Sequence, residues 1–124
     1  MKLFILLGSI LGGLSVALGA FGAHSLEALL IKNNRLQTYQ TAVEYQFYHA
    51  LALILVGILA QYFSQKWLYY AGYCLFFGVV IFSGSLYILS LTNIKWLGAI
   101  TPIGGLLFLI GWGILIGLAS EVLK

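Results

Sequence analysis

Four runs of residues, 3–23, 42–63, 68–91 and 96–120, decide what this chain can fold into. Three of them contain no Asp, Glu, Lys or Arg, and the second carries only Glu44, in its first turn. A bilayer hydrocarbon core of about 30 Å is crossed by about 20 helical residues, and each run is long enough to do so. In lipid the backbone must satisfy its own hydrogen bonds, so a crossing segment is a helix or a strand of a closed barrel. Barrel strands alternate apolar and polar residues, and these runs do not. The expected fold is therefore an all-α membrane protein: a four-transmembrane-helix antiparallel bundle in one domain, with a short interfacial helix or loop over 24–41.

Composition excludes the soluble alternative. Of 124 residues, 62% are hydrophobic and 7% charged, against about 25% charged in a soluble domain. A water-soluble chain of this length leaves roughly a third of its surface uncovered, too much to hide that apolar content. The net charge of +3 comes from scattered basic residues, which form no cluster able to track a phosphate backbone, so nucleic acid is not an expected partner. Cys74 is the single cysteine, which rules out an intrachain disulfide. Lys2 followed by an apolar run ending in Gly22 and Ala23 has the outline of a signal peptide, but the run is long for one and is read as a retained span.

Lys66-Trp67 and Lys95-Trp96 each set a cation beside an indole at the start of a span, the usual interface anchor. Between the first two spans, Leu26, Leu29 and Leu30 have the spacing of a short helix lying at the interface. Thr41-Ala42-Val43-Glu44 has the form of a capping box that would start the second span; a helix running unbroken from Leu36 is the alternative. Orientation is not decided, since Lys2, Lys66 and Lys124 fall on one side and Lys32, Arg35 and Lys95 on the other.

Helices in lipid associate through close backbone approach and polar contacts. Gly8, Gly12, Ser15, Gly19 and Gly22 recur at steps of four and three and form a small-residue stripe on the first span. Gly113 and Gly117 stand in GxxxG spacing on the fourth. These two spans are expected to make the tightest contacts, within one bundle or between subunits. The segment Thr101-Pro102-Ile103-Gly104-Gly105 places the only proline inside the fourth span, where it should kink the helix or act as a hinge.

The groups that could carry chemistry are His24, Glu44, Tyr45, Gln46, Tyr48 and His49. Those on the second span spread over about 200° of its surface at 100° per residue, a polar rim just inside the membrane. A charge at mid-membrane costs about 2.5–3.5 kcal/mol, so Glu44 and His49 should face protein or water. His24 ends the first span on the same side and could approach Glu44, either to shuttle a proton or to pin the two spans together. A bis-histidine haem is disfavoured by depth, because His24 lies near the surface and His49 about 12 Å inside. No cofactor or metal site is expected, and no nucleophile with its activating base is recognisable.

Gly19-Ala20-Phe21-Gly22-Ala23-His24, Tyr45-Gln46-Phe47-Tyr48-His49-Ala50-Leu51-Ala52-Leu53, Phe82-Ser83-Gly84-Ser85-Leu86-Tyr87 and Gly98-Ala99-Ile100-Thr101-Pro102-Ile103-Gly104-Gly105 resemble the signature segments of the YgdD/YwdK-like family, known as domain of unknown function 423. The resemblance implies a multi-pass protein of the bacterial inner membrane, and it implies no mechanism. Expected partners are membrane lipids and, through the Gly-rich faces, a second copy or an unidentified protein. The leading functional expectation is a structural or accessory membrane protein. The alternative is a small oligomeric transporter or channel using the polar rim and the Pro102 kink.

Overall fold

The computed structural model describes residues 2–64 and 66–122, with the side chain of Val122 left aside; Lys124 of the charge count lies outside the described residues. Helix α1 covers Lys2–Ala23, α2 Glu27–Lys32, α3 Leu36–Tyr62 and α4 Lys66–Thr92. A 3-10 segment, Lys95–Ala99, leads into α5, Thr101–Val122. Four spans are long and apolar enough to cross a membrane, the last running from the 3-10 segment through α5, and the described residues contain no strand.

The turns follow from two asparagines. Asn34 (φ 55°) and Asn93 (φ 58°) adopt the left-handed conformation that asparagine tolerates better than other side-chain-bearing residues. After α2, the Asn33 and Arg35 backbone N–H groups donate to Leu29 and Leu30 carbonyls at 2.9 and 2.8 Å, and after α4 Asn93 N–H donates to Leu89 O at 2.7 Å. These bonds satisfy carbonyls a helix end would otherwise orphan. The two turns are tied together: Asn33 Nδ2 donates to Ser90 O (3.0 Å) and Arg35 Nε to Asn93 Oδ1 (2.9 Å). The short helix α2 is thereby fastened across the end of α4.

Two expected boundaries move. Helix α3 runs unbroken from Leu36, so Thr41 and Glu44 are interior helix residues and form no capping box, and the interfacial segment stops at Arg35 instead of Thr41. The fourth span is not one helix kinked at Pro102. It breaks at Ile100, and Pro102 is the second residue of α5, where its missing N–H would have no intrahelical partner anyway and its fixed φ suits the helix.

The helices pack in chain order, α1 on α3, α3 on α4 and α4 on α5, with no comparable contact between α1 and α5. Side chains cross the diagonals. Phe4 of α1 is fully buried over Gly72 of α4, its ring edge-on to Tyr73 at 5.1 Å, while His49 of α3 meets Phe108 and Trp112 of α5. Helices α3 and α4 thus form the middle of a flattened bundle with α1 and α5 on its flanks. The first and fourth spans do make close contacts, but within the chain each spends its closest face on its neighbouring span, α1 on α3 and α5 on α4, and not on the other.

Glycine makes those approaches possible. A Cβ at Gly8 would stand 2.7 Å from Ala50 O, one at Gly22 would collide with the Tyr39 ring, and one at Gly19 would press on Val43 at 3.3 Å. Ser15 is buried and donates to Leu11 O at 2.8 Å, whereas Gly12 touches Ala50 only at ordinary contact distance. The small-residue stripe of α1 is therefore its face against α3. On α5 the close approach falls on Gly104, against the Phe82 backbone, and Gly111, against Leu75. Gly113 and Gly117 are exposed with open space around them; they do not pack within the chain.

Candidate functional site

Seen from outside, the molecule is inverted relative to a soluble protein. Leu109, Ile116 and Val16 are about 70% exposed, while Gln46, Ser83 and Ser90 are 3% exposed or less. A polar group facing hydrocarbon costs free energy unless bonded, which explains why the polar side chains of the spans turn inward and find partners. Among the described residues no buried side-chain nitrogen or oxygen lacks one.

Gln46 is the centre of this network. Its Nε2 donates to Leu11 O of α1 at 2.8 Å, and its Oε1 accepts from the Tyr87 hydroxyl of α4 at 2.6 Å. One side chain thus links three spans. The seam continues toward the start of α3, one and two turns before Gln46: Ser83 Oγ donates to Ala42 O at 2.7 Å, and the Tyr39 hydroxyl donates to Leu18 O while its ring packs edge-on to Tyr87 at 5.4 Å.

His49 ties α3 to α5. Trp112 Nε1 donates to His49 Nε2 at 3.0 Å, and His49 Nδ1 lies 2.7 Å from Tyr45 O. An indole N–H can only donate and a carbonyl can only accept, so Nε2 must carry the lone pair and Nδ1 the hydrogen. The ring is held as one neutral tautomer, stacked on Phe108 with centroids 3.6 Å apart. Both nitrogens are committed to the protein. Ser85 and Thr101 join α4 to the start of α5 through hydroxyls 2.6 Å apart.

The expected polar rim is therefore divided. Gln46 and His49 face inward; Glu44, Tyr45 and Tyr48 are exposed, and His24 is exposed in the turn after α1. No hydrogen bond or ion pair joins His24 to Glu44. Of the expected hinge residues, Thr101 bonds to Ser85, Pro102 occupies the first turn of α5, Gly104 packs on Phe82, and Gly105 reaches only the Phe82 ring edge at 3.9 Å. Tyr39, Ser83, Tyr87 and Trp112 are members of the network that the sequence reading left out. The spacing Tyr39, Ala42, Gln46, His49, Leu53 on the buried face of α3 was the available signal for Tyr39.

Among the described residues, three of the recesses on the sides of the bundle matter here. One of about 330 Å³ has an apolar wall that includes Leu55, Val56, Leu59, Leu115 and Leu118. One of about 620 Å³ between α3 and α5 is bordered by Tyr45, Phe82, Phe108 and Trp112. The third, about 360 Å³, lies between α1 and α3 and includes Gln40 and Glu44.

Comparison with known proteins agrees with this architecture. The family described as protein of unknown function (DUF423) matches residues 18–105. The chain belongs to this family. It is 50% identical to the UPF0382 membrane protein YwdK of Bacillus subtilis over 99% of this chain and 100% of that one. It is 54% identical to the UPF0382 membrane protein SH2409 of Staphylococcus haemolyticus over 94% and 93% of the two chains. No solved structure matches. The DUF423 match covers Gln46 and Tyr87, the turn after α2 and the start of α5, but not Leu11 or Trp112.

Proposed function

We propose that this DUF423 protein is a non-enzymatic accessory protein of the bacterial inner membrane whose outer surface binds lipid. The observation that carries the reading is the apolar recess of about 330 Å³ between the second half of α3 and the second half of α5. It opens sideways within the spans, where the surrounding solvent is acyl chain, and its lining offers aliphatic side chains at a volume typical of small-ligand sites. The transport alternative has less to rest on. Gln46 and His49 are spent on holding helices, and Pro102 sits where a proline leaves a helix straight. Gly113 and Gly117, exposed on the outer face of α5, leave room for the close approach of a second copy.

The test is native mass spectrometry of the protein released from native membrane, with the retained lipids compared against the bulk membrane composition. The expected result is reproducible enrichment of a lipid class, reduced when Leu59→Trp fills the apolar recess. Retained lipid that merely mirrors the bulk composition would contradict the reading.

A further inference from the structure

The recess between α1 and α3 differs from the other two in carrying a charge. It is bordered by Gly19, Gly22, Ala23, Tyr39, Gln40 and Glu44 among others and encloses about 360 Å³. Glu44 and Gln40 are one helical turn apart on α3, both exposed, and neither has a hydrogen-bond or ion-pair partner among the described residues. We propose that this cleft is a docking site for a lipid headgroup bearing a primary ammonium group, with the Glu44 carboxylate as its counterion; the inference deepens the lipid-binding reading and rests on it.

The cleft's electrostatics come from two sources. Glu44 contributes its carboxyl group, and the cleft is also bordered by Ala23, the last residue of α1, where the helix dipole leaves partial negative charge. That last turn contains no basic residue to offset it. The nearest cation in sequence, Arg35, is directed elsewhere, its Nε bonded to Asn93 Oδ1. A carboxylate at the membrane boundary without a counterion is costly, and the cost falls when a cation is supplied. Among the described residues no cation is paired with Glu44.

The position fits a headgroup. Helix α3 has 27 residues and is therefore about 40 Å long, about 10 Å more than the hydrocarbon core. Its surplus lies at the polar first turns, with Gln37, Thr38, Gln40 and Thr41. Glu44, about 12 Å from Leu36 by helical rise, then stands where headgroups meet acyl chains. Trp96, 64% exposed on the same end of the bundle, suits that level.

The chemistry favours a primary over a quaternary ammonium. Three N–H donors match the Glu44 carboxylate, the Gln40 amide oxygen and a carbonyl at the end of α1. A choline headgroup has no N–H and is recognised by open aromatic faces; here Tyr39 is 2% exposed, its ring covered by Gly22.

The experiment places the full-length protein in mixed nanodiscs of phosphatidylethanolamine, phosphatidylcholine and phosphatidylglycerol and measures the lipids it retains by native mass spectrometry. The wild type should retain phosphatidylethanolamine over phosphatidylcholine by about tenfold, the weight of one charge-assisted hydrogen bond. Glu44→Gln, a change at an exposed position, should bring that ratio near unity without moving the unfolding midpoint. Undiminished preference in Glu44→Gln would overturn the site. Enrichment of another lipid class would overturn the headgroup assignment and leave the lipid-binding reading standing, whereas no enrichment of any class would remove both. Soluble ethanolamine, added to discs of phosphatidylglycerol alone, should bind weakly. Retention there equal to that of the lipid would make the site one for free amines and overturn the lipid assignment.

Discussion

Trp112 and His49 show how little freedom a polar residue has inside a bundle bathed in lipid. The indole N–H fixes the histidine tautomer by donating to Nε2, and the Tyr45 carbonyl accepts from Nδ1–H. Trp112→Phe would leave Nε2 facing apolar surroundings, and stability in mixed micelles should fall by about 1 kcal/mol. Removing both polar partners, with His49→Leu added to Trp112→Phe, should cost less than the sum of the two single changes, because no unpaired group remains. At this scale the sequence was half legible. That polar side chains gather over Glu44 to His49 could be read from the residue types; that Gln46 and His49 turn inward while Glu44, Tyr45 and Tyr48 stay outside could not. A rim spanning about 200° does not say which arc faces the neighbours.

Helix existence was readable from four apolar runs because lipid allows so few backbone solutions. Helix contacts were not. Small-residue spacing identifies a surface fit for close approach without naming its partner, and only the structure shows that the α1 stripe meets α3. The GxxxG pair Gly113 and Gly117 drew attention away from Gly104 and Gly111, which share a face seven residues apart and do the packing. Gly104→Val should therefore destabilise the bundle by about 1–3 kcal/mol, since the Phe82 backbone has nowhere to move. Gly113→Val should leave the monomer's unfolding midpoint within about 0.5 kcal/mol of wild type. The same reasoning covers Pro102: a proline looks like a kink only if the helix already exists before it, and here the α-helix starts one residue earlier.

For the whole molecule, the order of packing follows the order of the chain, so each span rests mainly on its sequence neighbour and the start of α1 and the end of α5 lie on one side of the bundle. Hydrophobic burial does little to choose between this arrangement and others, because lipid and leucine are alike to an apolar helix face. Glycine-lined approaches and the inward polar bonds make the choice, and Gln46, bonded to α1 and α4 from α3, is where the bonds converge. The most direct measurement is a double-mutant cycle of Gln46→Leu and Tyr87→Phe, with unfolding followed in mixed detergent micelles. The predicted result is a favourable coupling of about 0.6–1.7 kcal/mol between the two side chains. Strictly additive losses, or a Gln46→Leu variant as stable as the wild type, would contradict the claim that this buried polar seam holds the spans together.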